Sequence, residues 1–185
     1  MKKLIFIICL FVVVFHSAYT NAQEKKHYIA LRPGLYFFTD EIEEKTFIQT
    51  GFSGEFAYGY YLHPNFGLEF NSGYYHDGVK RNDVRGFPAM LLAKGYYTLG
   101  MVELYTGGGF GIVYAEFDGD TQFGHVSAED VCLGGNAVVG TNFNVLSNFF
   151  VGAQGKYIFT DQESFDLFDA NLNGFTTTIS LGYRF

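Results

Sequence analysis

Tryptophan is absent from this chain, and proline and cysteine are scarce, with three and two residues. Cys9 lies in the apolar opening stretch, which leaves Cys132 as the only later cysteine. No disulfide can form within the rest of the chain. No run of about 20 apolar residues occurs, so no helix can span a bilayer. Basic residues are also few. Setting aside Lys2 and Lys3 in the opening stretch leaves 10 of the 12 basic residues against 19 acidic ones, a net charge of −9. That balance argues against a nucleic-acid partner.

What the chain has in quantity is Phe (22), Tyr (14) and Gly (23), a usage that suits many tightly packed β-strands. The opening stretch has its own logic. Lys2 and Lys3 precede LIFIICLFVVVF at 4–15, followed by HSAYTNAQ. A charged start, a short apolar core and an A-x-A-like exit make residues 1–22 an expected signal peptide, cleaved after Ala22. The apolar core is too short for a hydrocarbon layer of ~30 Å. Cys9 follows Ile7 and Ile8, where a lipoprotein signal would need a small residue. The expected mature domain is 23–185, about 163 residues and one domain's worth.

Period-two alternation of apolar and polar residues marks eight strands, at 28–38, 47–62, 66–76, 86–99, 101–117, 130–143, 148–160 and 174–185. The links alternate in length. Short ones carry HPN, LGM and NVLSN; long polar ones are expected near 39–46, 77–85, 118–129 and 161–173. Short turns at one end and long loops at the other are the asymmetry of a membrane-spanning barrel.

Charge placement sharpens this. In strand one Ile29, Leu31, Leu35 and Phe37 share a face and Arg32 lies opposite. The same division sets Glu55, Glu69, Lys94, Glu103, Lys156 and Arg184 against the apolar rows of their strands, with Glu116 an exception near a strand end. One face of the sheet is therefore nearly free of charge. A charged residue facing lipid costs ~2–4 kcal/mol at the bilayer midplane. Inside a narrow barrel the same charges must pair, since a buried ion without its partner costs ~3–5 kcal/mol. The expected fold is an all-β, eight-stranded antiparallel up-and-down transmembrane β-barrel, with Arg32, Glu55, Glu69, Lys94, Glu103, Lys156 and Arg184 as an interior charge network. A soluble barrel with reversed faces is the alternative. The glycines on the polar face (107, 109, 111, 134, 140 and 152) suit a crowded interior better.

The leader, the eight strands and the terminal LGYRF resemble the small bacterial outer-membrane β-barrel proteins of the porin-family or OmpA/OmpX-like group. YTGGGFGIVY (105–114) and FFVGAQGKYIF (149–159) are similar to glycine-plus-aromatic strands of that group. The resemblance implies location in the outer membrane of a Gram-negative bacterium, with contact to outer-membrane lipid and lipopolysaccharide. It also implies that Leu181, Tyr183 and Phe185 are an insertion signal read by the barrel-assembly machinery.

Candidate chemistry is sparse. His125-x-Ser127 resembles the catalytic pair of lipid A deacylase barrels. Two residues apart on a strand share a face, so the histidine could serve the serine as base and Glu129 could orient it. In that family the pair lies near the C-terminus, whereas here it precedes strand six. Residues 40–44, 116–130 and 161–169 hold 13 of the 19 acids: Asp40, Glu41, Glu43, Glu44; Glu116, Asp118, Asp120, Glu129, Asp130; Asp161, Glu163, Asp166, Asp169. FDGDTQ offers carboxylates to a hard cation but lacks the full spacing of a calcium loop. Lys80, Arg81 and Arg85 form a basic island suited to those acids or to lipopolysaccharide phosphates. His27, His63 and His76 are too far apart to suggest a metal site. Cys132 falls on the inward face as a small filler. GGGFG at 107–111 lacks the lysine and helix of a phosphate loop.

No cofactor, metal or enzymatic activity is expected. The expected function is that of a structural or surface-interaction barrel with a filled interior, acting through its extracellular loops on an external partner. The alternatives are a narrow pore for ions or small solutes, and a lipid A-modifying hydrolase using His125 and Ser127.

Overall fold

The computed structural model describes residues 25–40, 47–79, 82–121, 124–160, 164–165, 168–169 and 173–185. The expected signal peptide at 1–22 lies outside the described residues. Alternating side chains build β1 (His27–Asp40), β2 (Phe47–His63), β3 (Phe66–Val79), β4 (Asn82–Leu99), β5 (Val102–Thr121), β6 (Gly124–Asn144), β7 (Phe149–Thr160) and β10 (Gly174–Arg184). These eight close into a barrel in the order β1-β10-β7-β6-β5-β4-β3-β2, every neighbour antiparallel. Two short strands, β8 (Ser164–Phe165) and β9 (Phe168–Asp169), pair only with each other.

Closure follows from the two-residue period. Outward positions carry Leu31, Leu35, Phe52, Phe56, Phe70, Leu91, Leu104, Phe110, Ile112, Phe159 and Ile179, all exposed. Inward positions carry every one of the buried ionised residues. The faces are thus apolar outside and polar inside, which excludes the soluble barrel with reversed faces.

The turn ends share one end of the barrel with the first and last described residues, Lys25 and Phe185. Pro64 and Asn65 connect β2 to β3, and Gly100 and Met101 connect β4 to β5. Gly100 has φ 61°, a left-handed value that glycine adopts without steric penalty. At the same end His27 and Phe185 exchange backbone hydrogen bonds of 3.0 and 2.9 Å, joining the first strand to the last residue.

The opposite end differs from the sequence expectation. The long links expected at 77–85 and 118–129 are strand instead, leaving only 80–81 and 122–123 between strands. Polar residues there continue the ladder: Gly78 pairs with Asp83, and Asp118 with Ser127. An antiparallel ladder needs only backbone partners, so a polar segment can extend it in water as well as an apolar one.

Three ladders are interrupted: β2–β3 shifts register between Tyr61 and His63, and proline stands at the other two gaps. The β1–β10 register passes from Leu31↔Leu181 to Gly34↔Thr178 around Pro33, and β3–β4 passes from Ser72↔Ala89 to Tyr75↔Gly86 around Pro88. Proline has no N–H to donate.

The core lies inside the barrel and changes character along its axis. Toward the extended end, Tyr36 stacks on Tyr75 at 4.3 Å above Met90, Val113, Cys132 and Ile158. Tyr75 crosses over Gly86 so closely that a Cβ there would meet its ring at 1.9 Å. The middle is charged. Toward the termini, Tyr28, Tyr61 and Phe150 form an aromatic layer.

Candidate functional site

The charged middle layer is built from five strands. Arg32 points inward from β1, Glu55 from β2, Glu69 from β3, Lys94 from β4 and Lys156 from β7, each nearly free of solvent contact. Arg32 donates from Nη1 to Glu55 Oε1 at 2.6 Å and from Nη2 to Glu69 Oε2 at 2.6 Å. Lys94 Nζ lies 2.7 Å from Glu69 Oε1, and Lys156 pairs with Glu55. Each carboxylate therefore serves two cations, and Arg32 bridges both carboxylates. The planar guanidinium suits this double role, presenting several donors in fixed geometry.

Three cations meet two carboxylates in this layer. Lys94 has a further stabilising partner in the face of Tyr105, 4.6 Å from Nζ to the ring centroid, an electrostatic attraction between cation and π-cloud. Tyr28 adds its hydroxyl hydrogen to Glu69 and lies 3.0 Å from the Tyr96 hydroxyl.

Glu103 and Arg184 stand apart from this group, at the mouth beside the termini. Arg184 Nη2 lies 2.7 Å from Glu103 Oε1 and also reaches Asn144. Asn142 donates to Glu103 at 2.8 Å, and Tyr61 donates to it at 3.2 Å. The Arg184 guanidinium covers the Phe150 ring at 4.7 Å. A cleft of about 490 Å³ opens here, lined by Lys25, Lys26, His63, Glu103 and Arg184 among others. The seven ionised residues named from the sequence thus form two groups, five in the centre and two at the mouth.

Sequence reasoning missed the neutral partners: Tyr28, Tyr61, Tyr96, Tyr105, Asn142 and Asn144. Their signal was present, because each lies at the same strand parity as the inward charges. Tyrosine, with an apolar body and a polar tip, serves either face, so parity alone does not mark it as the partner of a charge.

At the chain end, Leu181 is exposed on the outer face, and Tyr183 packs edge-on against Phe149 at 4.9 Å. Phe185 stacks on His27 at 5.7 Å.

The candidate chemistry at the extended end is only partly within the described structure. His125 and Ser127 lie on β6, their backbones paired with Asp120 and Asp118; their side chains lie outside the described residues. They occupy a strand, not the expected link. Glu129 and Glu116 lie beside the Tyr114 hydroxyl. Arg85 lies 3.8 Å from Glu116, both partly exposed. Lys80, Arg81, Glu41, Glu43, Glu44, Asp161, Glu163 and Asp166 lie outside the described residues. Asp40 pairs through its backbone with Phe47, and Asp169 with Ser164. Among the described residues no cluster of three His, Cys, Asp or Glu side chains could hold a metal ion. Cys132 is buried on the inward face, its thiol 3.5 Å from the Val113 carbonyl.

Comparison with known proteins follows the same lines. Residues 6–185 match the family described as outer membrane protein beta-barrel domain. A comparison with curated protein sequences gives no match. Among solved structures, Neisserial surface protein A is similar with a TM-score of 0.62 at 14% identity, over 87% of this chain and 96% of that one. OprG from Pseudomonas aeruginosa gives 0.59 at 16% identity, over 87% and 97%. Ail, the attachment invasion locus protein of Yersinia pestis, gives 0.58 at 18% identity, over 88% and 100%.

Proposed function

Because the chain belongs to the outer membrane protein beta-barrel domain family, we propose that this bacterial outer-membrane barrel is a closed structural or surface-interaction protein. It acts through the strand extensions and links at the end opposite its termini. The termini face the periplasm, and the extensions face outward, among lipopolysaccharide. The observation that carries this reading is the buried group of Arg32, Glu55, Glu69, Lys94 and Lys156, which fills the lumen at its middle. An eight-stranded barrel has room inside for side chains and little else. The fold it shares with an attachment invasion locus protein accommodates a surface role. Leu181, Tyr183 and Phe185 serve insertion by the barrel-assembly machinery.

A narrow pore is the second reading, favoured by one observation: ionised side chains occur at two levels of the lumen, the centre and the mouth. Planar-bilayer conductance of the refolded protein separates the two. Silence from a demonstrably folded sample is expected. A steady current altered by Glu103→Gln or Lys94→Gln would replace the closed barrel with a pore. The same protein expressed in cells should leave lipid A mass unchanged; a mass change that reverts with His125→Ala would make it a lipid A hydrolase.

A further inference from the structure

The interior charges do not cancel. Arg32, Lys94, Lys156 and Arg184 face Glu55, Glu69 and Glu103, four cations against three carboxylates. Arg184 and Glu103 neutralise each other at the mouth, so the excess of one positive charge rests in the central layer. A buried ion without a counter-charge is costly, because nothing offsets its lost hydration. The Tyr105 ring over Lys94 eases that cost but supplies no charge.

Unpaired donors show where the excess is felt. Arg32 commits Nη1 and Nη2 to Glu55 and Glu69. Its Nε–H, the donor nearest its own strand, meets no acceptor in the protein. Gln154 Nε2 and Thr178 Oγ1 are likewise buried without a protein partner. The three groups sit on adjoining strands. Gln154 of β7 is directly opposite Thr178 of β10, and Thr178 is opposite Gly34 of β1, two residues from Arg32 on the same inner face. Directly opposed side chains have Cβ atoms about 5 Å apart and diagonal ones about 7–8 Å, within reach of a long side chain. Ser180, fully buried, completes this patch of wall at the break in the β1–β10 ladder.

Elsewhere in the lumen the unpaired groups are mixed. Asn136 leaves both Nδ2 and Oδ1 unpaired, and Asn71 leaves Oδ1, an assortment that suits water. On β1, β10 and β7 every unpaired group can donate. We propose that the wall between these three strands binds one small monovalent anion, of chloride size, held by Arg32 Nε, Gln154 Nε2 and Thr178 Oγ1. One such ion balances the central layer, whereas a divalent ion would reverse the imbalance. An eight-stranded lumen has room for side chains and little else, which excludes an anion with a bulky organic part. The ion enters as the strands close, and it belongs to the folded barrel whatever the outer end of the barrel contacts.

The test refolds the full barrel in detergent with bromide, or with gluconate at the same ionic strength. Bromide should raise the urea midpoint and slow unfolding about tenfold, as a ligand of the folded state alone does. Thr178→Val keeps the side-chain shape, removes one donor and should shrink that effect severalfold. Gln154 Oε1 accepts from Tyr105 at 3.2 Å, and Gln154→Glu keeps that acceptor while placing a carboxylate oxygen where the ion sits. This variant should be as stable in gluconate as the parent is in bromide, and should no longer respond to halide. Crystals grown in bromide should show anomalous scattering beside Arg32 and Gln154. A bromide effect of full size in Gln154→Glu would be a general salt effect and would overturn the site. Scattering confined to the outer surface would do the same. So would equal stability of the parent in bromide and gluconate, which would mean that a lysine sheds its proton to remove the excess.

Discussion

Glu69 holds two cations at once, Arg32 at 2.6 Å and Lys94 at 2.7 Å, with no exposure to solvent. Removing its charge leaves Lys94 without a carboxylate, while Arg32 retains Glu55. A buried ion stripped of its partner costs ~3–5 kcal/mol, so Glu69→Gln should lower barrel stability by about that amount in urea unfolding. Lys94→Met added to Glu69→Gln should recover a large part of the loss, because the stranded cation is gone; the double-mutant comparison isolates the coupling. Additive losses in the double variant would mean that the two residues act independently. At this scale the sequence is informative about which residues face inward and silent about which neutral partner meets which charge. The parity of Arg32 and Lys156 within their strands places both inward, yet nothing in one chain tells which tyrosine of the inward set reaches Glu69 and which reaches Glu103. That depends on register between strands, and register is fixed by ladders that the sequence does not print.

The strands themselves carry a different mixture of legible and hidden information. Apolar alternation marks the middle of each element, because lipid outside and packed side chains inside both demand it. It fails at the extended ends of β3 to β6, where polar residues continue the ladder without an apolar signature. Hence 118–121 and 124–129 read as a link in the sequence and as strand in the structure. The last strand supplies a test of its own. Phe185 ties the barrel seam through two backbone bonds to His27, and its ring stacks on that residue. Phe185→Ala keeps the backbone bonds. We expect refolding in detergent to proceed with a stability change within about 1 kcal/mol, in the range of a single exposed aromatic contact. Assembled barrel in cells should fall severalfold, measured by heat-modifiable mobility on gels. Equal losses in detergent and in cells would assign Phe185 to the seam rather than to insertion.

Taken whole, the molecule is a sheet joined to itself, and its seam pairs residues near the two ends of the described chain, Tyr28 with Arg184. Contacts so distant in sequence form slowly, since the loop entropy must be overcome before the pairing stabilises anything. Closure also locks the interior, and there a single atom gains a use. Cys132 is the only cysteine after residue 22, and its thiol is buried in the lumen beside Val113. A water-borne alkylating reagent can reach it only when strands part, so the labelling rate counts opening events of the whole barrel. In urea the sulfur should react at the pace of a free thiol, and in the folded barrel far more slowly. Prompt labelling of the folded form would mean that solvent threads the lumen. The lone cysteine is thus a clock built into the wall, one that reads time in openings.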